Sequence, residues 1–149
     1  MEKLDVEKER QVWSRVRGEA YAAPDFKRLP ALIASEEEAA DTYLQLSRKL
    51  QGKERMMLQR MSQEEQAHAA CLKGIYHLIT GERASAGHVP SQNTTVESTL
   101  RRCYGKEMRC LAEYEARAQD KEYGAVFSRL AQQEQEHCRI LLEILGNLK

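Results

Sequence analysis

Arg60-Met-Ser-Gln-Glu-Glu-Gln-Ala-His68 and Arg129-Leu-Ala-Gln-Gln-Glu-Gln-Glu-His137 align without a gap at an offset of 69 residues, with five of nine positions identical. Self-similarity of this kind marks an internal duplication. A second alignment, at an offset of 71, sets Glu36-x-x-Ala39-x-x-x-Tyr43 on Glu107-x-x-Cys110-x-x-x-Tyr114. Each half of the chain thus carries the same two elements in the same order, which reads as a duplicated helical hairpin.

Working outward from these segments, apolar residues recur at helical spacing over residues 30 to 51, 54 to 80, 94 to 119 and 122 to 147. Four long helices make a bundle, so the fold class is all-α. Pro30 suits a first helical turn, Gly52 and Gly124 lie beside the two short turns, and Thr94-x-x-Glu97 reads as a capping box opening the third helix. The link from Gly81 to Asn93 carries no helical stripe. Extended, it reaches about 45 Å, against about 42 Å for a second helix over residues 53 to 80. It is long enough for a crossover that sets the second and third helices parallel, as in a ferritin-like four-helix bundle. An up-down bundle with a loose loop fits the same lengths. Residues 1–29 hold one further helical pattern, with Val6, Val12, Trp13 and Val16 on one side and Gly18 as a stop. This short N-terminal helix is expected as an arm, packed on the bundle or used for dimerisation or partner docking, with residues 30–149 forming the bundle.

Composition narrows the function classes. The 149 residues amount to one domain. Lys plus Arg and Asp plus Glu both number 23, and this zero net charge gives no reason to expect nucleic acid or an anionic membrane as partner. Three Pro and eight Gly beside 31% charged and 42% hydrophobic residues suit a helical protein and exclude a β-sandwich or a disordered chain. No apolar run approaches the roughly 18 residues of a bilayer span. The charged amino terminus does not read as a signal peptide, so a cytoplasmic protein is expected. Cys71, Cys103, Cys110 and Cys138 include no Cys-x-x-Cys pair, which removes zinc ribbons, thioredoxin-like chemistry and a rubredoxin-type iron site. They read as reduced, buried thiols.

Acid interrupts every apolar stripe at its middle. Glu65 and His68 fall on the face defined by Met57, Met61, Leu72, Ile75 and Ile79, and Glu134 and His137 on that of Phe127, Leu130, Leu141 and Ile144. Glu36 lies between Leu32 or Ile33 and Tyr43, and Glu107 between Leu100 or Cys103 and Tyr114. Counted from the two short turns, all six residues stand about 20 to 24 Å along their helices, so they converge on one level. Four carboxylates in an apolar core are costly unless a cation joins them or they are protonated. No Lys or Arg occupies the central inward positions, which leaves protonation or divalent metal. One Glu from each of two helices plus Glu-x-x-His from each of the other two is the ligand set of di-iron and di-manganese carboxylate bundles.

The duplication also sorts the neighbours. Glu64 matches Gln133 whereas Glu65 matches Glu134, so Glu65 is the candidate ligand, and Glu64 and Glu136 are read as leaving the inward face intact. Tyr43 and Tyr114 stand two turns after Glu36 and Glu107, where a phenol donates toward a ligand carboxylate or serves as an ordinary core residue. Cys110 reads as a small buried residue matching Ala39, with lining the site as the alternative. His77 and His88 lack partners and repeats and are read as surface or loop residues.

Glu36, Glu65-x-x-His68, Glu107 and Glu134-x-x-His137, with Tyr43 and Tyr114, resemble the di-iron domain of the rubrerythrins, within the ferritin-like superfamily, over about residues 30 to 147. The resemblance implies that Glu36, Glu65, His68, Glu107, Glu134 and His137 are metal ligands, with Glu65 and Glu134 bridging. Where rubrerythrins commonly carry an additional carboxylate, one turn after the third-helix ligand, this chain has Cys110.

The resemblance further implies a redox enzyme with two Fe ions, reacting with peroxide or dioxygen and re-reduced by a separate electron carrier, and a homodimer is expected. Manganese shares the ligand preference. The rival readings are an iron-oxidising, iron-handling protein, a manganese-catalase-like enzyme, and a structural helical module with a poorly filled site.

Overall fold

The computed structural model describes residues 26–85, 87 and 94–149, so all but the last four residues of the expected N-terminal arm, 1–29, lie outside the described residues. A single 3-10 turn, Phe26–Arg28, leads into α1 (Leu29–Lys49), α2 (Gly52–Thr80), α3 (Val96–Arg117) and α4 (Gly124–Asn147). Among the described residues there is no strand. The helix ends fall within two residues of those read from periodicity.

Local chemistry sets those ends. Pro30 occupies the first turn of α1, where its missing N–H costs nothing. At the other end of α1, Arg55 Nε donates to the carbonyls of Ser47 at 3.0 Å and Leu50 at 2.8 Å, satisfying acceptors the helix itself leaves open. Gly52 then starts α2 at φ +64°, a left-handed conformation that glycine adopts freely. The cap of α3 differs from expectation by one residue. Thr95, not Thr94, is the N-cap, its hydroxyl accepting from Ser98 N at 3.1 Å. Thr94 instead bonds Thr99 between hydroxyls at 2.6 Å, so the expected Thr94–Glu97 box does not form. A cap hydroxyl bonds the amide two or three residues on, and with Ser98 in that place Glu97 is one residue short.

Between α3 and α4, Asp120 Oδ1 accepts from the amides of Glu122 at 2.9 Å and Tyr123 at 2.7 Å. The turn is tight enough that a Cβ on Gly124 would sit 2.5 Å from the Ala118 carbonyl oxygen. Gly124→Ala is therefore expected to destabilise the protein by about 1–3 kcal/mol, since backbone must move to admit the methyl. A urea unfolding curve checks this.

The core resolves into two apolar blocks. One joins Leu29, Leu32 and Ile33 of early α1 with Leu72, Ile75 and Ile79 of late α2, Cys110 and Tyr114 of late α3, and Phe127 and Leu130 of early α4. The other joins Tyr43 and Leu46 of late α1 with Leu58 and Met61 of early α2, Leu100 and Cys103 of early α3, and Leu141 and Ile144 of late α4. Late α2 thus lies level with late α3, and early α2 with early α3. The two middle helices are parallel, and the segment 81–95 joins opposite ends of the bundle. This is the long crossover, and it removes the up-down alternative. The topology is ferritin-like.

Candidate metal centre

Between the two apolar blocks lies a polar layer. Glu36 of α1, Glu65 and His68 of α2, Glu107 of α3 and Glu134 and His137 of α4 meet there, none more than 3% exposed. Every side chain expected at the site is brought into this layer. The blocks above and below it keep water out, which raises the cost of each charge inside.

The six form two overlapping groups. Glu36, Glu65, His68 and Glu134 offer one ligand atom each within 4.8 Å of one another, and so do Glu65, Glu107, Glu134 and His137. Glu65 and Glu134 belong to both. His68 Nδ1 lies 2.7 Å from Glu134 Oε1, and His137 Nδ1 lies 2.6 Å from Glu65 Oε1. The two imidazoles stack at 5.9 Å between centroids, tilted by 22°. Each hairpin's histidine approaches a carboxylate of the other, and His68 Nδ1 also bonds Glu36 Oε2 of its own hairpin at 3.1 Å, a contact His137 does not repeat with Glu107.

Whether metal fits can be judged from the atoms themselves. Glu65 Oε1, Glu107 Oε2, both carboxylate oxygens of Glu134, and His137 Nδ1 are buried and have no hydrogen-bond partner. His137 Nδ1 stands within contact of Glu65 Oε1 yet makes no hydrogen bond with it, so the atoms converge without satisfying one another. Buried polar groups left in that state are rare unless an ion or water completes them. Among the described residues no lysine or arginine is buried, so no side-chain ammonium or guanidinium does so. Four carboxylates balance two divalent cations, and an oxygen-rich set with two imidazoles suits iron or manganese. The residues fit a metal site.

Without metal the same groups carry strained protonation. Burial, and the charges of Glu36 and Glu107, push the Glu65 carboxyl well above the usual range. Burial acts on Glu36 in the same direction, but hydrogen bonds with Glu65, His68 and Tyr114 override it and hold this carboxyl below its ordinary value. Burial lowers both histidines, yet the carboxylates win: Glu36 raises His68, and Glu107 with Glu64 raises His137.

The two tyrosines act across the bundle. Tyr43 Oη donates to Glu107 Oε1, and Tyr114 Oη donates to Glu36 Oε1 at 3.0 Å. Neither serves the glutamate seven residues before it on its own helix. Helical side chains lean toward the N-terminus, so Glu36 leans away from Tyr43. Helices α1 and α3 run antiparallel, and Glu107 leans toward the end where Tyr43 sits. Both phenols are buried, and burial with the neighbouring carboxylates raises their pKa, keeping them protonated donors.

Sequence reasoning misplaces one residue and misses its counterpart. Glu64, expected to leave the inward face intact, has its Oε2 2.6 Å from His137 Nε2. Gln133 Oε1 lies 2.6 Å from His68 Nε2. Both sit at the rim, one residue before the inward glutamate, where a long side chain reaches over to the opposite helix. Their shared repeat position and shared ability to accept a hydrogen bond are the signal available in the sequence. Glu136 is exposed, as expected, and pairs with Arg139. Cys110 is buried with its Sγ 3.7 Å from Ser35 Oγ, and its thiol is pushed up to about 12, first by burial and then by Glu36. His77 is exposed on α2, and His88 lies outside the described residues.

A family model described as Rubrerythrin matches residues 27–145. The chain belongs to the rubrerythrin family. That match spans all four helices and the whole polar layer, and it agrees with a ferritin-like bundle whose buried glutamates and histidines are compatible with a metal site. Comparison with curated proteins and with solved structures gives no match. In the family's context, di-iron chemistry on dioxygen or peroxide is the general function indicated for this rubrerythrin domain. No helix among the described residues is long and apolar enough to cross a membrane.

Proposed function

We propose that this protein is a di-iron peroxidase of the rubrerythrin type, in which Glu36, Glu65, His68, Glu107, Glu134 and His137 hold two iron ions and a separate carrier supplies electrons. The observation that carries the reading is the pair of four-residue groups sharing Glu65 and Glu134. A shared pair of carboxylates suits two ions close together and gives a single ion no advantage. Iron held there would supply the two electrons that, with two protons, cleave peroxide to two waters.

The chain's own residues do the rest. Glu36 and His68 hold one subsite and Glu107 and His137 the other, while Tyr43 and Tyr114 fix the outer glutamates through their phenolic protons. The apolar blocks on either side exclude water. The reading keeps the protein in the cytoplasm, as a homodimer, with its thiols reduced and with small-molecule oxidant and electron carrier as partners. Iron handling and manganese-catalase-like disproportionation are the alternatives.

Turnover needs a reductant, because each peroxide cleaved to two waters takes two electrons that must be returned to the site, and these 149 residues hold no Cys-x-x-Cys motif of a rubredoxin-type relay. Iron-loaded, reduced protein is expected to be oxidised once by about one equivalent of hydrogen peroxide per two irons and then to stop. Adding a rubredoxin or a flavoprotein reductase with its pyridine nucleotide should restore continuous consumption, followed by absorbance. Disproportionation without a donor would favour the manganese-catalase-like reading. Accumulation of ferric mineral from ferrous iron and dioxygen would favour iron handling.

A further inference from the structure

The outward nitrogens of the two histidines do not meet the same group. His137 Nε2 faces a carboxylate, Glu64 Oε2, whereas His68 Nε2 faces a carboxamide oxygen, Gln133 Oε1, both at 2.6 Å. Glu64 and Gln133 occupy one position of the duplicated segment, directly before Glu65 and Glu134. The duplication has therefore kept the contact and changed only its charge. Arg60 Nε holds Glu64 from the solvent side, 3.1 Å from Oε1. That guanidinium is largely exposed, so water screens it and it offsets little of the carboxylate's effect on the buried ring.

We propose that this difference makes the two metal subsites unequal, Glu64 rendering the His137 subsite the tighter and first to fill, and Gln133 leaving the His68 subsite weaker. The proposal rests on the di-metal reading of the polar layer. A histidine that binds metal through Nδ1 keeps its proton on Nε2. An anionic acceptor draws that proton outward and enriches Nδ1 in electron density, which a neutral amide oxygen does less well. Each group has an outer glutamate with a tyrosine donor, two shared glutamates and a histidine with Nδ1 inward, though His68 Nδ1 lies 3.1 Å from Glu36 Oε2 and His137 Nδ1 3.8 Å from Glu107 Oε1. Glu64 and Gln133 touch no metal position themselves and act as positioning residues.

The test is titration of metal-free protein with Mn(II), counting free ion by its magnetic-resonance signal. Wild type should bind in two steps whose dissociation constants differ about tenfold or more, the effect usual for a histidine's outer partner. Glu64→Gln should weaken the tighter step by about tenfold or more and bring the two together, leaving the weaker step in place. Gln133→Glu should strengthen the weaker step, and this reciprocal variant keeps the test open if the first fails to fold, as read by circular dichroism. Two equal steps in wild type, or unchanged constants in a folded Glu64→Gln protein, would overturn the inequality and leave the di-metal reading standing. A wild type that takes up neither Mn(II) nor anaerobic Fe(II) would overturn both.

Discussion

The double variant Glu65→Ala/Glu134→Ala is expected to retain essentially no metal where the wild-type protein retains about two ions per chain, the largest effect any pair of substitutions should produce. These two glutamates are the members common to both four-residue groups, so removing them strips half the ligands from each at once. Glu36→Ala, which touches one group alone, should leave about one ion. Elemental analysis of protein expressed with excess iron and desalted gives the count. Retention of two ions by the double variant would mean that the wrong acids have been assigned. Misfolding is the competing explanation for a loss, and it predicts the opposite stability. Deleting two buried glutamates whose oxygens lack hydrogen-bond partners should raise the melting temperature of the metal-free protein at pH 8, where ionising them inside the apolar core is costly. Glu136→Ala, exposed and bonded only on the outer surface to Arg139, should keep both ions.

How far the sequence alone reveals each feature depends on what that feature rests on. The helices and the level of the six buried residues rest on spacing along one helix at a time, which the sequence carries directly, as Glu65, His68, Met61 and Leu72 illustrate. The crossover rests on which ends of α2 and α3 lie together. Linker length permits it, but only the joint packing of Ile79 with Tyr114 and of Leu58 with Leu100 decides it. Contacts between helices are the illegible part. Tyr43 falls on its expected face, yet its partner is Glu107 across the bundle, because side-chain lean and antiparallel direction act together. Glu64 escapes a sequence reading for the same reason: a rim position looks solvated on its own helix and reaches a histidine only when the neighbouring helix is present. Even the cap at Thr95 is displaced by one residue, since two adjacent threonines offer the same hydroxyl.

Metal-free protein is expected to melt at lower temperature as pH rises from 5 to 8, while metal-loaded protein melts at higher temperature over the same range. The sign for the metal-free form rests on three groups. Glu65 has a folded pKa raised well above its ordinary 4.5 by burial and neighbouring carboxylates, so its contribution is complete below 4.5 and is lost as pH climbs through the raised value. His68 and His137 are raised above 6.5, so their contributions are complete below that and fade as pH rises through the folded values. Glu36 is lowered below 4.5, and the stability it contributes is lost only as pH falls through that lower range, outside the window. All three groups hold their proton more tightly in the folded chain than in the unfolded one, so each pushes stability down with rising pH. Metal acts oppositely, since binding demands ionised carboxylates and neutral imidazoles and strengthens as protons leave. With free metal at about a thousand times its dissociation constant the gain is about 4 kcal/mol. For a chain of this size that raises the melting temperature by about 10 °C. The gap between the two forms should be smallest at pH 5 and widest at pH 8, read by calorimetry with and without chelator. A gap that is constant with pH, or a metal-free protein as stable as the loaded one at pH 8, would show that the polar layer does not need an ion to hold its charges and would favour a purely structural bundle.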